Sequence, residues 1–152
     1  MNTNERGFTL VEVLLVVSLT MAIGFAAITF SIPQLRASRV EGFVEDMASL
    51  VFLYQQRAAS GKNGKSYGVY FDTDSYTMYV GDSYTTAEST EELFYPADMS
   101  GVQVNLDDAG REIVFPSQSF HPSTFGTVRV TNGSASYILV INREGLIYSY
   151  EE

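Results

Sequence analysis

Few side chains in these 152 residues could do chemistry. There is one histidine, His121, and no cysteine, which removes disulfides, thiolate catalysis and cysteine-bound zinc together. His121 lies in Ser119-Phe120-His121-Pro122-Ser123 with no acid patterned beside it, so it reads as a surface histidine rather than a general base. Ser117 and Ser119 lack the Gly-x-Ser-x-Gly elbow of hydrolases. Gly61-Lys62-Asn63-Gly64-Lys65-Ser66 ends like a phosphate loop, but its first glycine stands too close to the Lys-Ser pair, and it reads as a turn that closes a helix. Asp72 with Asp74, and Asp107 with Asp108, offer hard oxygens of the kind that bind calcium. Neither pair has the full Asp-x-Asp-x-Asp-Gly spacing, and Asp is a favoured hairpin-turn residue in its own right. The sequence therefore predicts no catalytic residue, no metal and no cofactor.

One ionisable residue is conspicuous by its position. Glu12 stands just before residues 13–35, a stretch without a charged side chain and rich in Leu, Val, Ile, Ala, Met and Phe. About 20 such residues in a helix cross a bilayer. A carboxylate near the start of the run is costly in lipid, roughly 2.5–3.5 kcal/mol at the centre of a span, and calls for a functional partner. The alternative is a carboxylate at the membrane surface, favoured by the positive end of the helix dipole. A common secretory signal fits poorly, because the apolar core is too long. Gly24 and its neighbouring alanines suit close helix contact, and Pro33 either bends the helix or ends it.

The segment Arg6-Gly7-Phe8-Thr9-Leu10-Val11-Glu12, followed by that apolar run, resembles the prepilin-type cleavage and methylation motif of the type IV pilin-like and pseudopilin superfamily. The resemblance implies a leader over 1–7, cut between Gly7 and Phe8 by a membrane prepilin peptidase that requires Gly7 and methylates the new amino terminus on Phe8. It also implies that the carboxylate of Glu12 meets the amine of a neighbouring subunit. One polar contact in a greasy interface is the kind of feature that fixes register. The leader holds Glu5 beside Arg6, but with the free amine of Met1 it keeps a slight positive excess, which orients it toward the cytoplasm.

Elements must position these residues. Beyond Pro33, Val40, Phe43, Val44, Met47, Val51, Tyr54 and Ala58 recur at helical spacing, with Glu41, Glu45, Asp46, Gln55 and Arg57 on other faces. This predicts that the membrane helix, 8–35, runs into an amphipathic one over 36–61. Residues 66–150 read as short strands and turns. Tyr67 to Phe71 and Tyr76 to Val80 flank Asp72-Thr73-Asp74-Ser75, further alternating runs lie at 102–106, 113–115 and 128–131, and 137–141 and 146–150 are separated by Asn142-Arg143-Glu144-Gly145. Residues 81–100 read as a long exposed loop with a short extended piece at Leu93 to Tyr95. The fold expected is α+β: a long amino-terminal helix, part transmembrane and part amphipathic, packed on an antiparallel sheet in a single head, 36–152.

Within the superfamily, Tyr54-Gln55-Gln56-Arg57-Ala58-Ala59-Ser60-Gly61-Lys62 leading to Val69-Tyr70-Phe71-Asp72, together with Ile113-Val114-Phe115, Gly126-Thr127-Val128 and Ile141-Asn142-Arg143-Glu144-Gly145-Leu146-Ile147, resembles the GspH/FimT-like minor pseudopilins. That implies a structural subunit of a type IV pilus or type II secretion pseudopilus. Its partners would be prepilin peptidase, other pilin or pseudopilin subunits and an inner-membrane assembly platform. It would sit in the inner membrane by a single pass with the head outside, and later in the filament. Nucleic acid is a poor partner, since net charge is −9 and the head holds 8 basic against 16 acidic residues. Two further functions fit the same sequence: an extracytoplasmic binding module on an uncleaved anchor, and the tip of a DNA-uptake pilus.

Overall fold

The computed structural model describes residues 9–99, 101–133 and 135–152, side chains at 27–33, 36 and 62 excepted. Contacts divide the chain into two compact units, Met1–Leu35 and Arg36–Glu152. Helix α1 covers Leu10–Ala59 and belongs to both. Of the two readings of Pro33, the one that ends the helix there does not hold, because α1 runs through it.

In the second unit α1 buries Val40, Val44, Met47, Val51, Tyr54 and Ala58, a stripe at three- and four-residue steps that lies against sheet. Eight strands follow: β1 (Tyr67–Phe71), β2 (Ser75–Val80), β3 (Ser89–Phe94), β4 (Gly101–Leu106), β5 (Glu112–Phe115), β6 (Gly126–Thr131), β7 (Ser136–Ile141) and β8 (Ile147–Glu151). They form two four-stranded antiparallel sheets, ordered β3-β2-β1-β5 and β4-β6-β7-β8. The fold is α+β. Alternate residues supply the core: Val69 and Phe71 from β1, Ile113 and Phe115 from β5, Val128 and Val130 from β6, Leu139 and Ile141 from β7. The helix stops where Gly61 takes the left-handed conformation at φ 63°, and Asn63 and Gly64 follow it there at 62° and 66°.

Residues 81–99 hold more strand than the short extended piece expected at Leu93 to Tyr95: β3 begins at Ser89, a single turn of 3-10 helix covers Tyr84–Thr86, and the remainder is loop. β3 pairs with the whole of β2, from Val80↔Ser89 to Ser75↔Phe94. It is an edge strand whose side chains are mostly exposed, so it shows little apolar alternation and takes its order from the backbone bonds of β2. The connection before it folds back over the outer face of the first sheet. There Tyr79 covers Gly68, where a Cβ would stand 2.3 Å from the ring, and its hydroxyl donates to Glu112 Oε2 at 3.1 Å. The same oxygen accepts the N–H of Tyr84 at 3.0 Å, and the Tyr84 ring stacks on Tyr70 at 4.3 Å. The β1–β2 hairpin is thereby covered on both faces.

Gln55 also departs from its expected place on a polar face. It is 2% exposed, and its Nε2 donates to the carbonyl oxygens of Phe120 at 2.8 Å and Gly145 at 2.6 Å. One amide thus ties α1 to the 116–125 loop and to the β7–β8 turn. Gly145 adopts φ 82°, and a Cβ there would meet Phe120 O at 2.2 Å.

Candidate functional site

Thr9 begins the amino-terminal helix. Its hydroxyl oxygen accepts the backbone N–H of Glu12 at 3.3 Å and so caps a helix that starts at Leu10. Thr9-x-x-Glu12 is the sequence signature of a helix start, and it gives Glu12 a second, local setting in the first turn, where a negative charge complements the dipole. Of the residues singled out for processing and assembly, Gly7 and Phe8 lie outside the described residues. Glu12 is exposed at the base of the apolar segment beside Val13, Val16 and Val17.

The segment itself has no polar face. Leu10, Val11, Leu14, Leu15, Leu19, Met21, Ile23 and Phe25 are all well exposed around the helix, Phe25 at 78%. A helix that is apolar all round belongs in a core, a bundle or a bilayer. Its polar side chains are quenched locally: Ser18 Oγ donates to Leu15 O at 2.9 Å, and Thr20 Oγ1 lies 3.0 Å from Val16 O and 2.9 Å from Val17 O. Hydroxyls that bond back to the preceding turn present little polar demand to the surroundings. Gly24 leaves open space where a side chain would be. Among the described residues no helix is long and apolar enough to cross a membrane.

Within the head the candidate ligands serve as turn residues. Asp72 Oδ1 accepts the N–H of Thr73 at 2.7 Å and lies 3.5 Å from the Arg111 guanidinium. Asp108 accepts the N–H of Gly110 at 2.7 Å, and Asp107 that of Phe125 at 3.1 Å. Among the described residues no group of three or more His, Cys, Asp or Glu is arranged to hold a metal ion. His121 is not as solitary as its sequence suggests: Glu144, from the β7–β8 turn, brings its carboxylate to 3.6 Å from Nε2. Both side chains are mostly exposed, so solvent screens the pair.

A family model described as the prokaryotic N-terminal methylation motif matches residues 2–28. Comparisons with curated proteins and with solved structures return no match.

Proposed function

Because residues 2–28 of this chain match the prokaryotic N-terminal methylation motif, we propose that the protein is a type IV pilin-like minor pilin or pseudopilin, GspH/FimT-like, whose work is assembly rather than catalysis. Prepilin peptidase removes residues 1–7 after Gly7 and methylates Phe8. Residues 8–35 then hold the chain in the inner membrane by a single pass, with the 36–152 head outside, until an assembly platform moves the subunit into a pilus or pseudopilus.

The observation that carries this reading is a methylation motif heading a helix that is apolar on every side, with Glu12 as the acid of its first turn. Such a surface is stable only when other helices or lipid cover it. Removing the leader creates an amine on Phe8, and a charge brought into an apolar bundle needs an opposite charge. Glu12 of a neighbouring subunit supplies one.

Mass spectrometry of the purified mature protein should find N-methyl-Phe8 as the first residue; an intact Met1 would leave an uncleaved anchor and sink the proposal. The pairing role of Glu12 is separable from its place at the helix start. Glu12→Gln keeps the residue's size and removes its charge, whereas Thr9→Ala removes the cap and keeps the charge. Pairing requires that Glu12→Gln be processed but poorly incorporated into filaments while Thr9→Ala is incorporated.

A further inference from the structure

Four strands end the two sheets: β3 and β5 in the first, β4 and β8 in the second. An edge strand presents unpaired N–H and C=O groups, and folded proteins commonly protect such edges with charge. β3 carries Glu91 and Glu92, β5 carries Glu112 and β8 carries Glu151. β4, Gly-Val-Gln-Val-Asn-Leu, carries none.

β4 also has room beside it, as do β3 at Leu93 and Phe94 and β8 at Ile147, so the missing charge rather than the space sets it apart. A cleft of about 510 Å³ lies between Gly101 and Val102 on one side and Thr73, Asp74, Pro96 and Ala97 on the other. A second, of about 330 Å³, lies between Val102 and Val104 and the Asp72, Thr73 and Arg111 wall. They share Thr73 and Val102. The step from Val102 to Val104 is the two-residue repeat of a strand, about 6.6–6.8 Å. Alternate side chains of a strand laid against β4 would therefore drop into successive clefts, as in recognition by strand addition.

Charge selects the occupant. Arg111 is already engaged by Asp72, while Asp74 is exposed and forms no ion pair with a described residue. Asp107 and Asp108 follow β4 directly, in a head with 8 basic and 16 acidic residues. A second copy of this chain would bring like charge to like. A cationic segment meets the opposite sign, which favours both encounter and pairing.

We propose that the free edge of β4 accepts an extended, cationic segment of another protein, which pairs as an added strand along Gly101–Leu106 and sets a basic side chain against Asp74. This stands apart from the filament reading and holds for the head whatever the amino-terminal helix does.

The test uses the full chain in detergent micelles and a fluorescent peptide of about eight residues that alternates Lys and Val, with a Glu-Val peptide and a backbone N-methylated Lys-Val peptide as controls. The Lys-Val peptide should bind in anisotropy titrations and slow amide hydrogen exchange in 101–106 but not in 147–151. Both controls should bind about tenfold more weakly or worse, a difference of about 1.4 kcal/mol. Asp74→Lys and Ala97→Trp, at exposed positions beside the strand, should weaken the Lys-Val peptide while circular dichroism shows an unchanged head. Absence of binding at millimolar peptide, equal binding of the Lys and Glu peptides, or binding that leaves 101–106 unprotected overturns the proposal. Protection of 101–106 that grows with protein concentration in the absence of peptide assigns the edge to a second copy, and equally overturns it.

Discussion

Gln55 makes two hydrogen bonds that no neighbour in its own helix could replace, because their acceptors come from segments 65 and 90 residues away in sequence. Leaving partly buried carbonyls without a donor costs about 1–3 kcal/mol. Gln55→Leu, similar in size and unable to donate, should lower the unfolding free energy by roughly that amount in a denaturant titration. Gln55→Glu should do no better, since a carboxylate would face two carbonyl oxygens. The sequence hides this residue. Polarity alone assigns Gln55 to a solvent face, although it directly follows the buried Tyr54 and lies four residues after the buried Val51. What betrays its role is the pair of distant acceptors, and these come together only in the folded chain. Glu12 is the opposite case. Its oddity in an apolar stretch is visible at once, and Thr9-x-x-Glu12 states the helix start in four residues. The partner proposed for its carboxylate would belong to another molecule, which no single chain displays.

Among the elements, the β1–β2 hairpin depends on a missing side chain. Gly68 stands opposite Tyr79 and leaves the volume that the Tyr79 ring fills, so that the ring reaches Glu112 on the far side of β1. Gly68→Ala should displace Tyr79 and weaken the tie from the β2–β3 connection to Glu112. The expected loss is about 1–3 kcal/mol in thermal or denaturant unfolding, accompanied by a change in the near-ultraviolet signal of the Tyr70, Tyr79 and Tyr84 cluster. If the variant matches the parent in both, the ring is not held by the glycine. Elements with strong local signals were legible. The α1 stripe, the left-handed Gly61 cap and the hairpin around Asp72-Thr73-Asp74-Ser75 each follow from periodicity or turn chemistry. Only the carboxyl end of β3, at Leu93 and Phe94, is legible as extended, because Ser-Thr-Glu-Glu before it is ordered by the backbone of β2 rather than by any apolar face of its own. The division of the strands between two sheets was likewise beyond the pattern, since alternation gives each strand a face but not a neighbour.

At the scale of the whole molecule, aromatic burial sets how the head responds to alkali. Burial, reinforced by the carboxylates of Asp46 and Glu91, pushes the Tyr76 phenol up to about 12. Burial and then Glu112 raise Tyr79, and burial raises Tyr95 before any neighbouring charge adds to it. The folded state therefore holds these protons where the unfolded chain, titrating near 10, releases them. Stability should be level below about pH 10 and fall as pH rises toward 12, by up to about 1.4 kcal/mol per pH unit for each phenol involved. Denaturation measured across that range checks this, and Tyr76→Phe should flatten the fall. A profile with no change up to pH 12 would mean that the rings are wetter than they stand here.

The lid that Tyr79 and Tyr84 make over the first sheet has a consequence for how the head comes apart. β1 and β2 have no wet side, whereas Tyr148 and Tyr150 of β8 stand half in solvent on an uncapped margin of the second sheet. Fraying has little to begin on in the β1–β2 hairpin. It starts at the carboxyl-terminal strand and advances inward, so the tyrosine-covered hairpin is the last part of the head to let water in.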